Sequence, residues 1–119
     1  MKYDPKDEEL QTLLDLDGRK YWLKAQYWVK FEARMVELTK HIPHGVKYSL
    51  TLHDRNNTRV LGFDNDHAVK KKGKRRKKYG GRIITWDHFH KFLKIAPYEF
   101  ESASQLLDDF WKAVDEIVL

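Results

Sequence analysis

The run Asp87-His88-Phe89-His90 joins two imidazoles and a carboxylate in a chain without cysteine. An extended backbone sends His88 and His90 to one face, about 7 Å apart, and Asp87 and Phe89 to the other. Histidine exchanges protons near neutral pH, so such a pair can bracket a scissile phosphate. One ring can then take the proton of an attacking hydroxyl and the other protonate the leaving oxygen. A second constellation of Asp64, Asn65 and His67 precedes a long basic segment. There Asp64 can orient a histidine or bind a metal, and Asn65 can donate to phosphate or close a strand-ending turn. The catalytic candidates are therefore His88, His90, Asp87, Asp64 and His67. The cofactor expectation is none, with Mn²⁺ or Zn²⁺ as the alternative, held by His88, His90 and a carboxylate, Asp64 or Asp87.

Lys70, Lys71, Lys72, Lys74, Arg75, Arg76, Lys77 and Lys78 surround one glycine and carry eight of the 23 basic residues. Outside this run 15 basic residues face 18 acidic ones, so the net charge of +5 belongs to one segment. A local cationic patch attracts phosphate backbones and releases condensed counterions, which makes these eight residues, with Arg59 and Asn65, candidates for RNA contact. The alternatives are a solvated loop and a basic tract of the nuclear-localisation kind. Absence of cysteine excludes disulfides, thiolate metal sites and a thiol nucleophile. No stretch approaches the roughly 18 apolar residues of a membrane span, and the first twenty residues are unlike a signal peptide. A cytoplasmic protein with no membrane partner is expected.

A chain of 119 residues makes one domain, with a long basic loop at 66–81. Asp4 as cap, Pro5 and the leucines Leu10, Leu13 and Leu14 predict a short N-terminal helix stopped by Asp17-Gly18. Between Tyr21 and Thr39 both helical and alternating periods fit; the density of Tyr, Trp, Val and Phe favours two strands. Tyr48, Leu50 and Leu52 alternate with polar residues before the turn Asp54-Arg55-Asn56-Asn57, which predicts a hairpin returning over Thr58 to Asp64. A four-residue loop would pair His53 with Thr58, Ser49 with Gly62 and Lys47 with Asp64, and would turn Leu61 and Phe63 to the core beside Tyr48, Leu50 and Leu52. A third strand is expected over Arg82 to His88. If it lies antiparallel beside Thr58 to Asp64, His88 falls near Arg59 and His53, and the Asp64 group lies at the far end. Strand order thus leaves open which constellation is the active site. Ser102 and Gln105 form a capping box for a C-terminal helix whose apolar spacing includes Leu106, Leu107, Phe110, Trp111, Val114, Ile117 and Val118. The fold class is α+β: a small antiparallel sheet of about four to five strands, a short N-terminal helix, and a C-terminal helix on one face.

Several segments, in order, resemble the TumE family of toxins from type II toxin–antitoxin systems. They include Leu13-Leu14-Asp15-Leu16-Asp17-Gly18, Tyr27-Trp28-Val29-Lys30-Phe31-Glu32-Ala33, and His44-Gly45-Val46-Lys47-Tyr48-Ser49-Leu50-Thr51-Leu52-His53-Asp54. Val60-Leu61-Gly62-Phe63-Asp64-Asn65, Asp87-His88-Phe89-His90, Pro97-Tyr98-Glu99-Phe100 and Leu106-Leu107-Asp108-Asp109-Phe110-Trp111 extend the resemblance over nearly the whole chain. The resemblance implies a bacterial toxin gene beside an antitoxin of helix-turn-helix type, growth inhibition, and a ribonuclease-like activity on RNA. A non-catalytic module that binds nucleic acid or an acidic partner through the basic loop is the alternative.

Overall fold

The computed structural model describes residues 9–24, 26–65, 87–92 and 94–118. The elements are α1 (Leu10–Asp15), β1 (Lys20–Leu23), β2 (Tyr27–Met35), β3 (Val46–Asp54), β4 (Arg59–Asp64), β5 (His88–Lys91), β6 (Lys94–Pro97) and α2 (Ala103–Val118). The strands form one six-stranded sheet in the order β1-β2-β3-β4-β5-β6, each antiparallel to its neighbour. This is the α+β arrangement expected from the sequence, with a strand more than the upper count.

The extra strand comes from Phe89 to Pro97, where the sequence offers no turn signal. Phe92 makes the turn in a left-handed backbone conformation (φ 54°) that glycine or asparagine usually supplies. Its N–H donates to the Val60 carbonyl at 2.8 Å, which ties the turn to β4. The predicted strand over Arg82 to His88 is corrected at its C-terminal end: β5 begins at His88 and runs on to Lys91. Residues 82–86 of that prediction, and Asp4 and Pro5 of the predicted helix start, lie outside the described residues.

The ambiguous Tyr21 to Thr39 region resolves into β1 and β2, joined at Lys24, another residue of positive φ. Gly18 (φ 81°) ends the approach from α1 and donates to the Phe31 carbonyl at 2.7 Å, as the Asp17-Gly18 stop requires. Asp17 then accepts from the Ala33 N–H at 2.9 Å, fastening the loop to β2.

One face of the sheet is apolar. Val29, Phe31, Leu50, Leu52, Leu61 and Phe63 are buried there with Leu10 and Leu13 of α1 and Leu106, Phe110 and Val114 of α2. Phe110 meets Phe31 and Phe63 edge-on, at 5.6 and 6.1 Å between ring centroids. Trp111, expected in the core stripe, is 37% exposed and leans on Phe31 from the rim. Half of the capping box forms: Ser102 Oγ accepts from the Gln105 N–H at 3.0 Å, while the Gln105 amide turns to Asp109.

The β3–β4 hairpin departs from the predicted register. Asp54 accepts from the N–H groups of Asn56 and Thr58, and its own N–H donates to the Thr58 carbonyl. With Asn57 at φ 65°, the loop closes over three residues. Beyond it the register shifts: His53 faces Arg59 but Leu52 faces Leu61, so Val60 is an extra residue in a bulge. Ser49 therefore faces Asp64 and not Gly62. This two-residue slip preserves the alternation, so the predicted inward set of Tyr48, Leu50, Leu52, Leu61 and Phe63 is buried.

Candidate functional site

On the face turned away from the helices, β4 and β5 pair so that Asp64 stands opposite His88 and Gly62 opposite His90. His88 Nε2 lies 2.9 Å from Asp64 Oδ1, and His90 Nε2 lies 3.6 Å from Asp64 Oδ2. Gly62 puts no side chain directly across from His90, whose ring lies toward the diagonal carboxylate. The two rings meet edge to face with centroids 4.7 Å apart, closer than the sequence-based spacing. The expectation that His88 would sit near Arg59 and His53, with Asp64 at the far end, is thereby corrected. Asp64 from one constellation and His88 and His90 from the other form one cluster. His67 lies outside the described residues, as do Lys70, Lys71, Lys72, Lys74, Arg75, Arg76, Lys77 and Lys78.

Asp64 and His88 are buried and His90 is half-buried, so their electrostatic interactions are less screened than at the surface. An imidazole that donates from Nε2 to a carboxylate carries its basic lone pair on Nδ1, and the carboxylate fixes that tautomer and ring orientation. One donor atom from each of Asp64, His88 and His90 lies within 4.8 Å of the others. Two imidazole nitrogens and one carboxylate oxygen suit Zn²⁺ or Mn²⁺ chemically, so the same three residues would hold such an ion.

Asp87 does not join this cluster. It precedes β5 and turns to the helix side, where it accepts from Tyr48 Oη at 2.7 Å and lies 2.9 Å from His44 Nε2. His44 stacks on Phe100 at 3.9 Å, and the Asp87 carbonyl accepts from the Tyr98 N–H. Burial first, and then the Asp87 carboxylate, push the Tyr48 phenol far above its ordinary ionisation range, so it remains a donor. Sequence reading missed His44 and Tyr48 as partners of Asp87, which they reach from 43 and 39 positions away.

Asn65 is fully buried. Its Oδ1 accepts from the Tyr48 N–H at 2.9 Å, and its Nδ2 donates to the Val46 carbonyl at 2.7 Å. Both ends of the amide thus continue the β3–β4 pairing past the end of β4. Arg59 is exposed at the hairpin end, four positions along β3 from the level of Asp64, which is about 13 Å. Its charge helps lower the pKa of His53, after the larger effect of burial.

A protein-family model described as Toxin TumE matches residues 17–118. No curated protein and no solved structure matches the chain. No helix among the described residues is long and apolar enough to cross a membrane.

Proposed function

The chain belongs to the TumE toxin family, and we propose that it arrests growth by cleaving RNA, with His88 and His90 as general base and general acid and Asp64 as the carboxylate that positions them. The observation that carries this reading is the β4–β5 register, which sets both imidazoles against one buried carboxylate. A single carboxylate balances a single imidazolium, and a second positive ring at 4.7 Å meets like-charge repulsion. A state with one charged and one neutral ring supplies an acid and a base together. The neutral ring takes the ribose 2′-hydroxyl proton, the 2′-oxygen attacks the adjacent phosphorus, and the charged ring protonates the departing 5′-oxygen. The products are a 2′,3′-cyclic phosphate and a 5′-hydroxyl.

Asp87 anchors the start of β5 through Tyr48 and His44 and takes no part in the proton transfers. The run from Lys70 to Lys78, with Arg59, supplies phosphate affinity by its charge. A toxin of this family has a cognate antitoxin. We take it to be of helix-turn-helix type, acting in the cytoplasm by covering the histidine face or the basic segment.

A second reading uses the convergence of Asp64, His88 and His90 on one point to hold a divalent ion that activates water. Incubating the purified chain with end-labelled RNA, with and without chelator, separates the two. Cyclic-phosphate ends that persist in chelator, with no cleavage of 2′-deoxy strands, support histidine chemistry. Cleavage abolished by chelator and restored by Zn²⁺ or Mn²⁺ supports the metal. No cleavage under either condition leaves the non-catalytic module.

A further inference from the structure

The strand registers arrange the face away from the helices in transverse rows. Lys20, Lys30, Thr51, Gly62, His90 and Ile95 stand opposite one another across all six strands. One row toward the β3–β4 turn lie Trp22, Trp28, His53 and Arg59. Trp22 is 65% exposed on the edge strand, and its ring lies 6.5 Å from that of Trp28. Trp28 is braced from β3 by His53, with rings 4.1 Å apart and 11° from parallel. Lys20 Nζ lies 5.7 Å from the Trp28 centroid, and Lys30 follows in the adjacent row.

An exposed indole on a sheet edge is poorly used if its role is stability alone, since most of its surface stays in water. Aromatic rings at the exposed β1–β2 edge of the sheet and bordered by cations match what an unpaired base and its phosphates require. Trp28 and the row of His90 are three strands apart, about 15 Å, a distance that a few nucleotides span. Resting on the ribonuclease reading, we propose that Trp22 and Trp28, with Lys20 and Lys30, form a stacking subsite for single-stranded RNA. From Trp28 the way to the Asp64–His88–His90 cluster leads past Thr51 and Gly62, both buried, so the subsite holds the strand at the β1–β2 end of this face. Charge favours RNA over an apolar partner: Lys20 lies over Trp28, Lys30 is in the adjacent row and Arg59 stands opposite His53, against the acids Glu32, paired with Lys30 at 3.5 Å, and Asp54 beside His53. Because base-paired nucleotides hide their ring faces, the subsite selects unpaired strands.

The test is fluorescence anisotropy of the full chain, free of antitoxin, with a labelled 2′-O-methyl oligouridylate of twelve nucleotides, which the proposed chemistry cannot cleave. Trp22→Ala should weaken binding by roughly 5- to 100-fold, the range for one stacked base. Trp22→Phe should recover part of that loss, and Lys20→Gln should flatten the salt dependence. A labelled duplex of equal length should bind at least about tenfold more weakly and ignore Trp22→Ala. Circular dichroism and melting of Trp22→Ala should match the parent chain, given the exposure of the ring. Unchanged oligouridylate affinity in folded Trp22→Ala, or no binding by the parent chain, overturns the proposal. So does a Trp22→Ala chain that keeps the oligonucleotide but loses antitoxin, which assigns the indoles to that protein. Trp22-dependent binding without cleavage of all-ribose strands removes the ribonuclease reading and leaves the subsite standing.

Discussion

Asp64 and Asp87 are both buried, and each lies 2.9 Å from a histidine nitrogen, yet they sit on opposite sides of the sheet in different company. On the helix side, Asp87 is held by a phenol that stays protonated and by a histidine stacked on Phe100. Away from the helices, Asp64 faces two imidazoles carried by one strand. The contrast separates two uses of a buried carboxylate. One closes a network against the core and fixes where β5 starts; the other gathers two imidazoles on the opposite face. Burial and a histidine partner do not by themselves distinguish a clamp from a candidate catalytic centre; the second partner does.

The largest effect expected from this contrast is on the Asp64 side. His88→Ala, His90→Ala and Asp64→Asn should each lower RNA cleavage by about 10² to 10⁴ and relieve growth arrest in cells without antitoxin, while circular dichroism is retained. A folded His88→Ala/His90→Ala chain that still arrests growth would erase the functional half of the comparison. On the helix side, Phe110→Ala should cost about 3 to 5 kcal/mol in urea unfolding, because the ring is buried against Phe31 and Phe63. Trp111→Ala should cost visibly less, since its ring lies on the rim. Tyr48→Phe should cost about 1 to 3 kcal/mol by removing the donor to Asp87, with cleavage per folded molecule nearly unchanged below the melting range. A large loss of cleavage in folded Tyr48→Phe would make the Asp87 network part of the chemistry.

The smallest effect concerns His53, whose pKa is lowered by burial and then by Arg59 and Lys30. The folded state therefore resists its protonation more than the unfolded state does. Its contribution to stability is complete above the unfolded value near 6.5 and declines as pH falls through that value toward the folded one. Melting compared at pH 7.5 and 5.5 should fall less in His53→Asn than in the parent chain. An equal fall in both would show that the Trp28 stack does not depend on the charge of this ring.

Much of the architecture was legible because apolar alternation is a local signal. The inward residues of β3 and β4, the helix face of α2 apart from Trp111, and the stop at Gly18 could all be read from their neighbours. The pairing of His88 and His90 on one face was legible for the same reason. Their junction with Asp64 was not, because the long basic segment between them carries no single turn signal from which to count a register. The two-residue slip, one residue from the shorter loop and one from the bulge at Val60, was hidden too, since a slip of two preserves every inward position. Phe92 concealed a turn by lacking the residue type that a left-handed backbone normally selects. The Asp87 network was illegible because Tyr48 read as an ordinary core position.

The sheet is a meander in which every strand pairs with the one before it, and this has a consequence for the newly made chain. Asp64 is synthesised 24 residues before His88, about 1 to 5 s at ordinary elongation rates. Through the end of β4 a growing chain holds the carboxylate but neither His88 nor His90. The ring of Phe110, which joins α2 to the sheet, arrives later still. The proposed RNA-cutting geometry is therefore assembled only in the final third of translation, and a chain stopped before β5 lacks both of its histidines.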